Sequence, residues 1–87
     1  MEQWFVYVIR SLKDGSLYSG MSQNPEQRLL EHNNKKSTYT SSRVPWKIIY
    51  IEECTTRLAA RKREKYLKSS AGRRFIKKIL ENLDFID

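Results

Sequence analysis

The densest apolar stretch lies near the start of the chain, where Trp4 to Arg10 read WFVYVIR. A nearly continuous apolar and aromatic run of this length suits a strand covered on both faces. Residues 13–16, KDGS, carry Asp-Gly, a strong hairpin signal. A second strand follows over about Ser16 to Met21. Asn24 is then placed to cap a helix, with Pro25 at its first position and Gln27 three residues after the cap. That helix runs to about Asn33 and ends in NNKK, where Asn tolerates left-handed backbone. Residues 34–45 form a polar, basic loop, long for so small a domain. The third strand spans Trp46 to Glu53. Strict alternation puts Trp46, Ile48 and Tyr50 on one face and Ile49 and Ile51 on the other. Thr55 or Thr56 caps a helix reaching about Ser69, and Gly72 marks a break. The last helix carries Phe75, Ile76, Ile79, Leu80 and Leu83 as one apolar stripe. The order β-β-α-β-α-α predicts an α+β fold, a small three-stranded antiparallel sheet flanked by helices.

The hairpin decides what two tyrosines, Tyr7 and Tyr18, can do together. Directly opposed residues of a hairpin have a constant index sum and point to the same face. A tight two-residue loop at Asp14-Gly15 sets Tyr18 against Ser11 and leaves the tyrosines about 13 Å apart along the strand, at ~3.3 Å per residue. A wider loop centred near Leu12-Lys13 sets them side by side. Either register puts them on one face, but only the wider loop makes a shared site. Gly20, two residues past Tyr18, marks a place where a backbone or ligand comes close.

With 87 residues the chain has room for one domain, 1–87, with its core over about 4–80. No apolar run approaches the roughly 20 residues that span a membrane, and no partner of that kind is expected. The N-terminus lacks a basic region followed by a cleavage site. Cys54 is the only cysteine, which excludes an internal disulfide and reads as an inert thiol at a strand end. A cytoplasmic location is the expectation. Seventeen Lys and Arg against ten Asp and Glu leave a net charge of +7, which favours a polyanionic partner, nucleic acid above all. Lys35, Lys36, Arg43 and Lys47 surround Tyr39 in and beside the long loop. Basic residues interleaved with an aromatic suit backbone contact plus base stacking.

Two further positions carry chemistry. Arg28 and His32 lie four apart and share one helix face, where an arginine fork suits a phosphate. Glu64 falls at the edge of an apolar arc formed by Ala59, Ala60, Tyr66, Leu67 and Ala71, with Arg63 nearer the arc's centre. It reads either as a carboxylate lining a cleft or as a surface partner of Lys68 at i+4.

Tyr7 in VYV, Tyr18 and Gly20 in YSG, Arg28 and His32 in QRLLEH, and Glu64 in KREKYLK together resemble the GIY-YIG nuclease domain, in particular its small stand-alone bacterial members. The likeness runs from about Trp4 to Leu80. It implies the GIY-YIG fold and a divalent-metal-dependent endonuclease-type hydrolase of phosphodiesters, with Mg²⁺ or Mn²⁺ as cofactor. Carried over residue by residue, it implies that Tyr7, Tyr18, Arg28 and Glu64 line one catalytic site, with His32 catalytic as in some relatives and Glu64 as the metal ligand. Tyr18 is then general base or water positioner, and Tyr7 binds the same water or phosphate. Gly20 gives clearance, and Lys35, Lys36, Tyr39, Arg43 and Lys47 bind substrate. DNA is expected before RNA, cut with weak sequence selectivity or by structure. The first motif reads Val-Tyr-Val in place of Gly-Ile-Tyr and the second Tyr-Ser-Gly in place of Tyr-Ile-Gly. SSAGRRF lacks the asparagine that many active relatives carry. These departures leave a second reading open, a catalytically inactive nucleic-acid-binding module on the same scaffold.

Overall fold

The computed structural model describes residues 3–86. Three antiparallel strands, β1 (Trp4–Ser11), β2 (Leu17–Ser22) and β3 (Trp46–Cys54), form one sheet in the order β2-β1-β3. Four helices accompany them: α1 (Pro25–Asn33), α2 (Thr38–Ser41), α3 (Arg57–Leu67) and α4 (Ser70–Ile86). The central strand β1 is the buried run expected, with Val6 to Ile9 all inaccessible or nearly so. The helix starts follow their caps: Asn24 Oδ1 accepts from Gln27 N–H, and Thr56 Oγ1 from Ala59 N–H.

The hairpin register lies between the two considered. Tyr7 opposes Gly20 and Ile9 opposes Tyr18, so the tyrosines are diagonal neighbours on one face. The cause is Ser11. Its amide donates to Ser16 O at 2.8 Å, closing a four-residue loop, while its Oγ accepts from the amides of Lys13 and Asp14 at 3.1 and 3.2 Å. Gly15 takes the left-handed turn position at φ +78. The Asp-Gly pair therefore ends a longer loop and does not fill a tight one.

Strict alternation fails in β3. Val8 pairs with Tyr50 but Ile9 with Ile48, so one extra residue, Ile49, is accommodated as a bulge. Trp46 and Ile48 join Tyr7 and Ile9 on one face, whereas Ile49 and Tyr50 pack with Val6 and Val8 on the other. The extra residue thus reverses the side assigned to Tyr50.

Each face carries its own core. On one, Val6 and Val8 meet Ala60 and Leu67 of α3 and Ile76 of α4, with Phe75, Ile79 and Leu80 at the margin. Leu83, the last of the expected stripe, is 44% exposed. Gly72 lies inside the first turn of α4, not between helices. A side chain there would collide with the Tyr66 carbonyl and the Leu67 backbone, so glycine lets the two helices meet closely. On the other face, Tyr7, Ile9 and Trp46 pack under α1 with Tyr18 and Leu29. Trp46 is the anchor. Its amide donates to Asn33 Oδ1 at 2.7 Å, its carbonyl accepts from Asn33 Nδ2 at 3.1 Å, and its indole N–H donates to Thr40 O at 2.9 Å. The loop expected over 34–45 is pinned by these bonds and contains the one-turn helix α2.

Arg63, puzzling on an apolar arc, is explained by its surroundings. Its Nε sits 2.9 Å from a Glu52 oxygen, and its guanidinium covers the Tyr66 and Phe75 rings. Cys54 closes β3 half-buried, and burial pushes its thiol pKa up, as suits an unreactive side chain.

Candidate active site

Tyr7 is the centre of the site because β1 is the middle strand and Gly20 stands beside it. A Cβ at position 20 would lie 2.5 Å from the Tyr7 hydroxyl, so the tyrosine ring fills the space the missing side chain leaves. The clearance expected for a ligand is occupied by the protein itself.

The Tyr7 hydroxyl donates to His32 Nε2 at 3.0 Å, and His32 Nδ1 donates to Thr40 Oγ1 at 2.9 Å. The direction of this chain follows from its far end. Thr40 Oγ1 gives its own proton to the Ser37 carbonyl at 3.4 Å, so toward His32 it accepts. Nδ1 therefore carries the imidazole proton, and Nε2 is left to accept from Tyr7. His32 and Thr40 are both fully buried. Burial, and then the Arg28 charge, hold the His32 pKa below its ordinary value, so the imidazole is neutral near pH 7.

The Tyr7 pKa is pushed up to about 12, first by burial and then by Tyr18. Arg28 acts in the opposite sense, by charge and by a hydrogen bond, and Glu64 adds a smaller upward push. Tyr18, Arg28 and Glu64, from β2, α1 and α3, thus all act on the charge of one hydroxyl. Tyr18 presents its ring edge-on to His32, with centroids 5.1 Å apart. Arg28 is ion-paired with Glu31 at 2.8 Å, one turn on, and both are about one-third exposed. That pair aims the guanidinium and leaves further N–H groups free for an incoming anion.

Glu64 shares the inner side of α3 with the buried Ala60 and Leu67, and its side chain is only 14% exposed. It faces inward more fully than a place at the edge of the arc implied. Lys68 Nζ lies 3.5 Å and Arg61 Nε 4.0 Å from its oxygens. The surface pairing with Lys68 and the inward-facing carboxylate are thus both present. Among the described residues, no three of His, Cys, Asp or Glu come together. A divalent ion here would meet one protein carboxylate, with hydroxyl oxygens near it. An all-oxygen set of this kind fits Mg²⁺ or Mn²⁺, which keep waters and take the remaining ligands from substrate phosphate.

The basic loop divides. Tyr39 is 47% exposed and stacks near Tyr18, with centroids 5.7 Å apart, and the Arg43 guanidinium covers it at 4.7 Å. Arg43 is tied inward as well, through Asp14 at 3.4 Å and the Tyr39 carbonyl at 3.2 Å. Lys35 and Lys36 are exposed in the α1–α2 connection. Lys47 sits on β3, paired with Arg10 and across the sheet from β2, so it does not join Tyr39 and Tyr18. Four residues escaped the sequence reading: Thr40, Glu31, Lys68 as a neighbour of Tyr18, and Arg73. Lys68 alone left a trace, as the i+4 partner of Glu64. Thr40 meets His32 only because Trp46 pins α2.

Residues 3–78 match the family model described as the GIY-YIG catalytic domain. A UPF0213 protein of Desulfotalea psychrophila is 43% identical over 67 residues, 75% of this chain and 60% of that protein. A UPF0213 protein of Staphylococcus epidermidis is 38% identical over 82 residues, 93% of this chain and 99% of that one. The solution structure of the UPF0213 protein BH0048 from Bacillus halodurans matches with a TM-score of 0.53, at 24% identity, over 88% of this chain and 84% of the other. At that identity the likeness concerns the fold.

Proposed function

The chain belongs to the GIY-YIG catalytic-domain family, alongside the UPF0213 proteins, and from that membership we propose a phosphodiester hydrolase cutting nucleic acid, DNA before RNA, with Mg²⁺ or Mn²⁺. The observation that carries this is the buried Tyr7–His32 hydrogen bond with the Tyr18 ring against His32, joined by the influence of Arg28 and Glu64 on the Tyr7 charge. The surplus of basic residues supplies affinity for a polyanion without reading sequence.

Glu64 would hold the divalent ion, which when bound neutralises charge on the phosphate. The residues do the rest. Arg28, held by Glu31, binds a phosphate oxygen and gains strength as negative charge builds in the transition state. Tyr18 orients the attacking water. Tyr7 takes one proton from that water as it passes its own to His32 Nε2, and the Nδ1–H bond to Thr40 holds the ring in place. With its pKa pushed up to about 12, Tyr7 is a phenol at neutral pH, so it takes that proton by giving up its own to a neutral His32. The leaving oxygen takes its proton from solvent, and His32 returns the proton it gained through Tyr7 once the product has left.

Purified protein incubated with single-stranded, duplex and branched DNA should cleave only with Mg²⁺ or Mn²⁺, and Glu64→Ala should abolish cutting. Salt-sensitive binding with no cleavage on any substrate would establish the inactive binding module instead.

A further inference from the structure

The residues so far assigned grip a phosphate and a water. Beyond them runs a cleft of about 530 Å³ along the edge of β2, which no other strand covers among the described residues. This volume lies within the range of pockets that take small organic ligands, roughly 300–1,000 Å³. Leu67 and the exposed Leu17 give it an apolar surface. Tyr18 and Tyr39 form an aromatic wall, their planes inclined by 30°, and Arg43 covers Tyr39. Lys68 and Arg73 supply the charge. Lys68 belongs to both places, lying 3.5 Å from Glu64 and 5.8 Å over the Tyr18 ring.

The chemistry of this lining is mixed in a specific way. A simple anion has no use for the apolar wall, and an apolar peptide has none for two cations beside it. A flat ring joined to a phosphate satisfies both. A base inside a duplex is stacked above and below and paired at its edge, so it cannot present a face to tyrosine. The geometry points to the cleft as the seat of one unpaired nucleotide, its base on Tyr39 and Tyr18 and its phosphate on Lys68 and Arg73. Through Lys68 and Tyr18 that nucleotide lies next to the phosphate held by Arg28, so this inference rests on the nuclease reading for the adjacency of the cut. It makes the preferred substrate single-stranded or branched, with unpaired chain at the site.

The test separates seating from cutting. Glu64→Ala protein in chelator is titrated into an oligonucleotide carrying one 2-aminopurine, either single-stranded or annealed to its complement. Emission should fall for the single strand through stacking and stay unchanged for the duplex. Adding Tyr39→Ala should weaken single-strand binding roughly 10-fold and remove the quenching, while Tyr39→Phe keeps both. Arg73→Ala, at an exposed position, should lower the salt slope by about 0.7 without touching the fold. Equal quenching of both probes, or wild-type binding by Tyr39→Ala and Arg73→Ala alike, overturns the seat. Cleavage by the unmutated chain in Mg²⁺ is read separately. If nothing is cut while quenching persists, the nuclease reading falls and the cleft stands.

Discussion

One strand serves two unlike sides of this protein. Val6 and Val8 of β1 point to a side closed by apolar contact with Ala60, Leu67 and Ile76. Tyr7, Ile9 and Ser11 point to a side where fully buried polar groups are each hydrogen-bonded, Ser11 to the Arg43 carbonyl and His32 to Tyr7 and Thr40. The first side needs only volume and shape. The second needs each donor matched to an acceptor, since an unmatched buried polar atom costs about 1–3 kcal/mol. Alternation along β1 therefore separates an apolar core from the buried polar groups of the candidate site, at a distance of one residue.

The separation can be attacked from both ends. The largest effect expected is on the polar side: Tyr7→Phe keeps the ring over Gly20 but removes the proton path, and cleavage should fall about 10²- to 10⁴-fold. Unfolding of that variant should show about 1–3 kcal/mol for the His32 Nε2 left unmatched; a larger collapse in stability with cleavage retained would reverse the roles of the two sides. Next comes Leu67→Ala on the apolar side, where deleting a buried leucine costs about 2–5 kcal/mol. Denaturant titration should show it, while activity per folded molecule stays close to wild type except on substrates that use the cleft.

Gly20→Ala should be smaller, about 1–3 kcal/mol of overpacking. Its added methyl displaces the Tyr7 hydroxyl from His32, so cleavage should drop in a chain that still folds. The smallest effect is with pH. His32 is the only histidine, and its folded pKa is lowered, so the unfolded chain takes up the proton first. Its contribution is intact above an unfolded value of about 6.5 and is lost as pH falls below it, by at most about 1.4 kcal/mol per pH unit. Denaturation midpoints at pH 7.5 and 5.5 test this against His32→Gln, in which that slope should vanish.

Element types were legible in the sequence because each has a local cause: the unbroken run of β1, the cap at Asn24, the stripe at Phe75 to Leu80. What escaped depends on contacts that no local pattern carries. Asp-Gly announced a turn, but Ser11, by binding two loop amides, fixed its length. The period of two failed in β3 because the bulge at Ile49 adds a residue without any Gly or Pro to announce it. The candidate site was put forward as a set of residue types at ordered spacings. Its wiring was not: Thr40 reaches His32 only after Trp46 has folded the loop back, and Arg28 is aimed by Glu31, which reads as an ordinary helix charge.

Gly20 and Tyr7 remain to be taken together. They belong to two sequence motifs thirteen positions apart, yet the glycine exists in the structure as the socket of the tyrosine ring. The two positions therefore form one heritable unit. A side chain gained at 20 breaks the Tyr7–His32 contact, and escapes the collision only with a smaller ring, or none, at 7. In aligned relatives the two columns should change jointly or not at all, and a sequence keeping the glycine after losing the tyrosine carries an empty hole beneath its central strand.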